Sequence, residues 1–302
     1  MPFNIIRADI TKVRADVVVK AENNGGEIGS AKFKRGRRNT IHTVCPIWNG
    51  RKNGEEDLLY SCYKNSLELA AENKCKSIAF PLISAEVGCP KETALAVAQK
   101  AISDFLKLSE SELLVTLVLL EKGAAKLNID LADKIQRYIA ENYSEERPEF
   151  NNKHTGKPFG FLVPDPHSFA PAAGFSINMG KLKERLDNQD ISFSQKLMKM
   201  IDERGLTDSE VYKAANFSKQ VFSKIRSDKN YHPKKSTSLA FAVALKLTLA
   251  ETDELLECAG YTLTRSDKTD IIVSYFIESG NYNIFEINMV LFDYDLALLG
   301  SV

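Results

Sequence analysis

Metal-ligand and disulfide patterns are what this chain of 302 residues lacks first. Its five cysteines (Cys45, Cys62, Cys75, Cys89, Cys258) are odd in number, no two form a C-x-x-C, and its four histidines are scattered. Neither a zinc site nor a disulfide framework is indicated, and free thiols suit a reducing cytosol. Net charge is missing too, with 40 basic against 40 acidic residues. Affinity for nucleic acid must therefore come from a local patch. The longest strongly apolar run, Leu113–Leu120, is eight residues, far short of the roughly 20 of a membrane span. No signal-peptide pattern opens the chain, since Met1-Pro2-Phe3-Asn4 leads into a strand-like run charged at Arg7 and Asp9. The expectation is a soluble cytoplasmic protein with no metal, cofactor or membrane partner.

What is present is ordinary globular composition, 44% hydrophobic and 26% charged, in a length that suits two domains or one large one. Short β-branched runs occur at "FNIIRA", "DVVVKA", "TIHTV", "SIAFPLI" and "LLVTLVLL". Stretches of helical period follow the later ones, at Glu55–Asn73, Pro90–Leu108 and Leu127–Asn142. In the first, Leu58, Leu59, Cys62, Tyr63, Ser66, Leu67 and Ala70 share one face, and Pro90 can start the second because its missing N–H would be unpaired there. Alternation of strand and helix predicts a layered α/β domain over residues 1–142.

Residues 143–180 hold five of the ten prolines and no sustained period, which reads as a linker unless its Phe and Leu side chains dock on a neighbour. From about Lys181 to the C-terminus the pattern is helical. Charge separates inside this half: Lys213 to Lys235 carries seven basic residues against Asp228 alone, and Ala250 to Val302 ten acidic residues against Arg265 and Lys268. A solvated face is the plain explanation. A basic helix with an acidic domain behind it is also how a neutral chain could bind DNA in one orientation.

The segments "ADITKVRADVVVKAENN", "IHTVCPIW", "LYSCYKNSLELAAENKCKSIAFPLIS" and "GCPKETALAVAQKAI" resemble the macrodomain, a module that binds ADP-ribose. The resemblance implies a three-layer fold with a mixed sheet. It also implies that Asp9 holds the adenine amino group and that the Ile10 N–H faces the ligand; a turn or cap role for Asp9 ahead of Thr11 stays open. The family's Asn-Ala-Ala-Asn signature here reads Lys20-Ala21-Glu22-Asn23, with Asn24 beside it. Only Asn23 keeps its register. The fifteen residues 25–39 are too few for a diphosphate loop, a helix of about ten residues and a return strand. The second phosphate loop reads Ser84-Ala85-Glu86-Val87-Gly88, one residue short, with a carboxylate where the family has glycine. No catalytic residue is expected. Ligand contacts are expected from Asp9, Ile10, Asn23, Asn24 and the Ser84–Gly88 loop.

Phe193 to Gly260 resembles the repressor-type (Cro/λ-repressor-like, XRE-type) helix-turn-helix domain, through "LTDSEVYKAANFSKQVFSKI", Pro233, "LAFAVALKL" and "ETDELLECAG". Thr207 and Glu210 form a capping-box pattern. A short helix, the turn Asn216-Phe217 and a new start at Ser218 follow, which is helix-turn-helix spacing. The resemblance implies base contacts from Ser218, Lys219, Gln220, Ser223 and Lys224, and phosphate contacts from Arg226, Lys229, Lys234 and Lys235. A homodimer on two half-sites is expected with it. Met198 and Met200 read as packing residues. Residues 261–302, aromatic and acidic, either complete the helical core or form a dimer surface.

Three functions compete on the sequence. The first is a regulator that senses ADP-ribose or a related nucleotide and binds DNA, without hydrolase activity. The second is a hydrolase of ADP-ribosyl or O-acetyl-ADP-ribose groups, and the third a protein-interaction scaffold. The short 25–39 segment argues against the second and the basic 213–235 stretch against the third.

Overall fold

The computed structural model describes residues 3–22, 26–50, 54–83, 88–109, 112–119, 129–143 and 191–300. The expected 143–180 linker lies outside them, Tyr143 apart, as do Asn23, Asn24 and Ser84 to Val87. Six strands form one sheet: β1 (Phe3–Arg7), β2 (Val17–Glu22), β3 (Ala31–Lys34), β4 (Asn39–Val44), β5 (Ser77–Pro81) and β6 (Leu114–Leu119). Their spatial order is β1-β6-β5-β2-β4-β3, parallel throughout except for the antiparallel β3–β4 pair. The sheet is mixed, as expected.

Alternation along the strands sends Val17, Val19, Ile78, Phe80, Val115 and Leu117 to one face, under α1 (Glu55–Glu72) and α2 (Lys91–Leu108). The α1 stripe of Leu59, Cys62, Tyr63, Ser66, Leu67 and Ala70 is buried there; Leu58, at its margin, is only partly covered. The opposite face carries a much smaller cluster, Val18, Ala79 and Val118 beneath Ile6, Ala8, Ile10, Val13 and Ala15.

Strand β3 was not among the expected strands. It forms because Phe33 inserts toward α1 and because β4 offers a free edge, pairing Ala31 with Thr43 through Lys34 with Thr40. Only residues 23–30 remain between β2 and β3, and the described ones among them contain no helix.

Helix α3 (Ile129–Asn142) packs away from the sheet. Ile135 sits in the core of the helical half, the Tyr138 hydroxyl donates to Glu278 at 2.8 Å, and the Tyr138 ring meets Tyr275 edge-on at 5.2 Å. That half contains α4 (Phe193–Glu203), α5 (Asp208–Ala214), α6 (Lys219–Ser227), α7 (Lys235–Ala244), α8 (Leu249–Glu257), α9 (Lys268–Glu278) and α10 (Ile284–Asp293). Capping boxes start α4, α5 and α8, the one on α5 being the expected Thr207–Glu210 pair. Met200 is buried and Met198 packs against the same core.

Residues 261–300 complete the core. Helix α10 is largely apolar and serves two layers: Met289 and Phe292 enter the core beneath the sheet, while Ile287, Val290 and Leu291 enter the helical core. Phe3 stacks obliquely on Phe285 at 5.4 Å. Arg7 reaches Asp295, donates to the Phe292 carbonyl at 3.0 Å and lies over the Phe292 ring.

The turn between α5 and α6 closes the outer edge of β1. Asn216, buried and at φ 60, accepts from the Phe3 N–H at 2.7 Å and donates to the Phe3 carbonyl at 3.0 Å. Gly300 backs this turn so closely that a Cβ there would lie 2.2 Å from the Ala215 carbonyl oxygen. Replacing Asn216 by Ala removes both bonds and leaves strain at positive φ, so urea unfolding should show a loss of about 3 kcal/mol. Asn216→Gly relieves the strain and still loses the bonds. Wild-type stability in the glycine variant would show that the clasp contributes nothing.

Burial pushes the Asp293 carboxyl up to about 6, with Arg7 opposing the rise and Asp295 adding to it. A folded-state pKa above the unfolded value of about 3.9 means stability present at low pH and lost as pH rises through about 6. Asp293→Asn should therefore gain on wild type between about pH 4.5 and about pH 7 in urea unfolding. A pH-independent difference would show that this carboxyl does not titrate in that range.

Candidate ligand cleft and basic helix

In an open α/β sheet a ligand crevice forms outside the carboxyl ends of the parallel strands. Here those ends are Arg7, Glu22, Val44, Pro81 and Leu119, and β1 to β2 spans three strand gaps, about 14 Å. Asp9 follows the β1 exit and is exposed. Its Oδ1 accepts from the Thr11 hydroxyl at 2.7 Å and the Thr11 N–H at 2.9 Å, and these donors hold the carboxyl below its usual range. Asp9 thus forms the local turn that the sequence left open, with Oδ2 directed to neither Thr11 donor. Ile10 packs half-buried on the small cluster of Val18, Ala79 and Val118.

At the β2 exit, Lys20 and Glu22 are both exposed, and Glu22 pairs with Nδ1 of His42. That contact lowers the Glu22 pKa. His42 was missed by sequence reasoning; its one signal is its place in β4, opposite Lys20 in the register. The connection between β2 and β3 is strapped to α1. Asn65 donates to the Gly29 carbonyl at 2.7 Å, and Gly29, at φ +86, lies so near Ser61 that a Cβ would approach its Cβ to 3.3 Å.

Tyr63 holds the β5 exit. Its buried hydroxyl accepts from the Ile83 N–H at 2.9 Å, one residue before the expected phosphate loop. Beyond that loop Gly88 sits at φ +88, and α2 begins after Pro90 with no side-chain cap on its first N–H groups. Such an end attracts anions.

The residues expected to meet DNA gather on and after α6. Ser218 caps it, accepting from the Val221 N–H, while Lys219, Gln220, Ser223, Lys224, Lys229 and Lys234 are exposed. Arg226 is exposed and paired with Asp208. Lys235 departs from the expectation of a free phosphate contact: it lies at the start of α7, partly covered, in an ion pair with the buried Asp270 at 2.5 Å. Burying that carboxylate requires a cation beside it.

A cavity of about 720 Å3 lies elsewhere, lined by Leu106, Lys107, Lys213, Lys246, Ile284 and Phe285. It is at the far end of α2, so it is separate from the strand exits. Among the described residues no group of His, Cys, Asp or Glu side chains could hold a metal ion, and no helix is long and apolar enough to cross a membrane.

The sheet order and the helix layer on one face define a mixed α/β protein in residues 3–119. Residues 12–98 match the Macro domain family. A macro domain-containing protein of Methanosarcina mazei is 36% identical over 157 residues, covering 41% of this chain and 84% of its own. An O-acetyl-ADP-ribose deacetylase of Escherichia fergusonii is 34% identical over 141 residues, covering 34% of this chain and 80% of its own. The Oceanobacillus iheyensis macrodomain solved with ADP is 28% identical, covers 45% of this chain and 90% of its own, and has a TM-score of 0.37. Through its N-terminal part, the chain belongs to the macro domain family.

Proposed function

We propose that the protein binds ADP-ribose or a related nucleotide without hydrolysing it, and that α5 and α6 form a helix-turn-helix DNA-binding unit. In this reading residues 1–142 supply the degenerate macrodomain, its last helix α3 docked on the helical half, 143–180 a linker and 181–302 the DNA-binding half, acting in the cytoplasm as a homodimer on two half-sites. The observation that carries it is the Asn216 clasp: the turn before α6 is bonded to β1, the strand that leads to Asp9. The exposed Lys219, Gln220, Ser223 and Lys224 on α6 are the residue types that read base edges and phosphates. Lys234 and Lys229 would add phosphate contacts, and Arg226 could do so by leaving Asp208.

Hydrolysis of ADP-ribosyl or O-acetyl-ADP-ribose groups is the second reading, the Escherichia relative being named an O-acetyl-ADP-ribose deacetylase. The eight residues between β2 and β3 speak against it, since they are too few for a diphosphate loop followed by a helix. Adenine selection would rest on Asp9 and the Ile10 N–H, distal contacts on Asn23 and Asn24, and the diphosphate on Ser84 to Gly88 with the uncapped start of α2. Calorimetry on the intact protein should show ADP-ribose binding that Asp9→Ala weakens by about 1–3 kcal/mol, with no ADP-ribose released from a mono-ADP-ribosylated substrate. Turnover lost in Asn23→Ala would instead establish the hydrolase.

For DNA, fluorescence anisotropy on selected and scrambled duplexes separates two kinds of contact. Gln220→Ala should cost about 1–3 kcal/mol on the preferred site and little on scrambled DNA. Lys234→Ala should weaken both alike and flatten the salt dependence by about one unit of slope. Identical behaviour of the two variants on every duplex would remove base reading from α6 and favour a scaffold.

A further inference from the structure

A parallel sheet is ordinarily covered on both faces. Here β2 changes character midway, Val17 to Val19 being buried and Lys20 to Glu22 exposed. The even-numbered positions of β2 share a face, so Lys20 lies on the side of Val18, opposite the α1–α2 layer. Across the sheet Lys20 pairs in register with His42, and His42 with Lys32; Lys34 follows two residues on. This half of the second face carries a cross-strand row of basic side chains where a helix layer would require apolar ones.

The adjoining β3–β4 turn adds Arg35, Arg37 and Arg38, all exposed. Arg38 is anchored, donating to the backbone carbonyls of Thr11 and Val13, and Val13 packs on this same face. The turn is thereby held on the side of Lys20 and Lys34. None of these six cations has an ion pair among the described residues. The carboxylate on this face, Glu22, pairs with His42 and also feels the charges of Lys34 and Lys20, so it offsets only part of the row.

We propose that the bare β2–β4–β3 face, with Lys20, Lys32, Lys34, Arg35, Arg37 and Arg38, is a second nucleic-acid surface that binds the phosphate backbone of duplex DNA without sequence preference. Charge complementarity selects a polyanion. Chemistry on the page narrows it further. Single strands are held by stacking on aromatic side chains, and the aromatic residue of β3, Phe33, is turned toward α1. A lipid surface calls for apolar side chains among the cations. The exposed large hydrophobic residues among those described, Ile28, Ile47, Leu108, Ile191 and Tyr261, all lie outside these strands. Lys32 and Lys34 are about 7 Å apart along an extended strand, and β2 and β3 about 10 Å apart across β4, a spacing suited to successive phosphates rather than one small anion. The surface lies at the sheet edge opposite β1 and does not depend on base reading by α6.

The test is anisotropy of a labelled random-sequence duplex with the full chain over a salt series, with a single strand of equal length and phosphatidylserine vesicles as comparison arms. Lys20→Gln/Lys32→Gln/Lys34→Gln should flatten the slope of log K against log salt by about three units and weaken binding at low salt more than tenfold. Its thermal melt should stay unchanged, since all three side chains are exposed. Lys219→Gln/Lys224→Gln in parallel keeps the two surfaces apart. An unchanged slope in the triple variant overturns the sheet-face proposal and leaves the helix reading standing. A flattened slope in the triple variant alone supports it and tells against the helix. Absence of duplex binding at low salt, or preference for vesicles or single strands, also overturns it.

Discussion

Two hydrogen bonds between Asn216 and the peptide groups of Phe3 join a turn in the helical half to the outermost strand of the sheet. An unpaired strand edge is open to pairing with other chains. Closing it with a side-chain amide, which offers one donor and one acceptor, satisfies both outward groups of Phe3 at once. The geometry demands a left-handed residue, which Asn tolerates, and a glycine behind it, which Gly300 supplies. Helix α10 then fills the space between the layers, and Arg7 ties the far end of β1 to Phe292 and Asp295.

Strand β1 is therefore held at both ends by the helical half, and Asp9 emerges immediately beyond the second anchor. The strand exit at Asp9 and the start of α6 are thus both next to this one short element. At the other edge of the sheet, among the described residues, no helical layer follows β3, and the alternation of Lys32 and Lys34 with Ala31 and Phe33 reflects a strand covered on one side only.

Charge is arranged with the same asymmetry. The basic α6 region and the basic β3 edge lie at opposite ends of a sheet six strands wide, while the last 53 residues carry most of the compensating acid. Zero net charge thus conceals separate cationic surfaces. Not every lysine in the basic run is available: Lys235 neutralises the buried Asp270, and that pairing with a residue far along the chain is invisible in the local charge count.

Much of the fold was legible in local pattern. Short β-branched runs marked β1, β2, β4, β5 and β6, period-3.6 runs marked α1 and α2, and Thr207 with Glu210 marked the start of α5, because each is decided within a few residues. The brevity of the 25–39 segment was legible from length alone, which limits what it can form. Strand β3 was not, because its four residues are half basic and become a strand only by pairing with β4. Nor was the partner of α3, whose apolar face could cover a sheet or a helix equally well. The exposure of Lys20, the Glu22–His42 pair and the clasp of Asn216 on Phe3 were decided by tertiary structure alone. Sequence determines which faces must be buried and where chains must turn; which surfaces meet depends on contacts between residues as far apart as 3 and 216, and only the assembled fold brings those together.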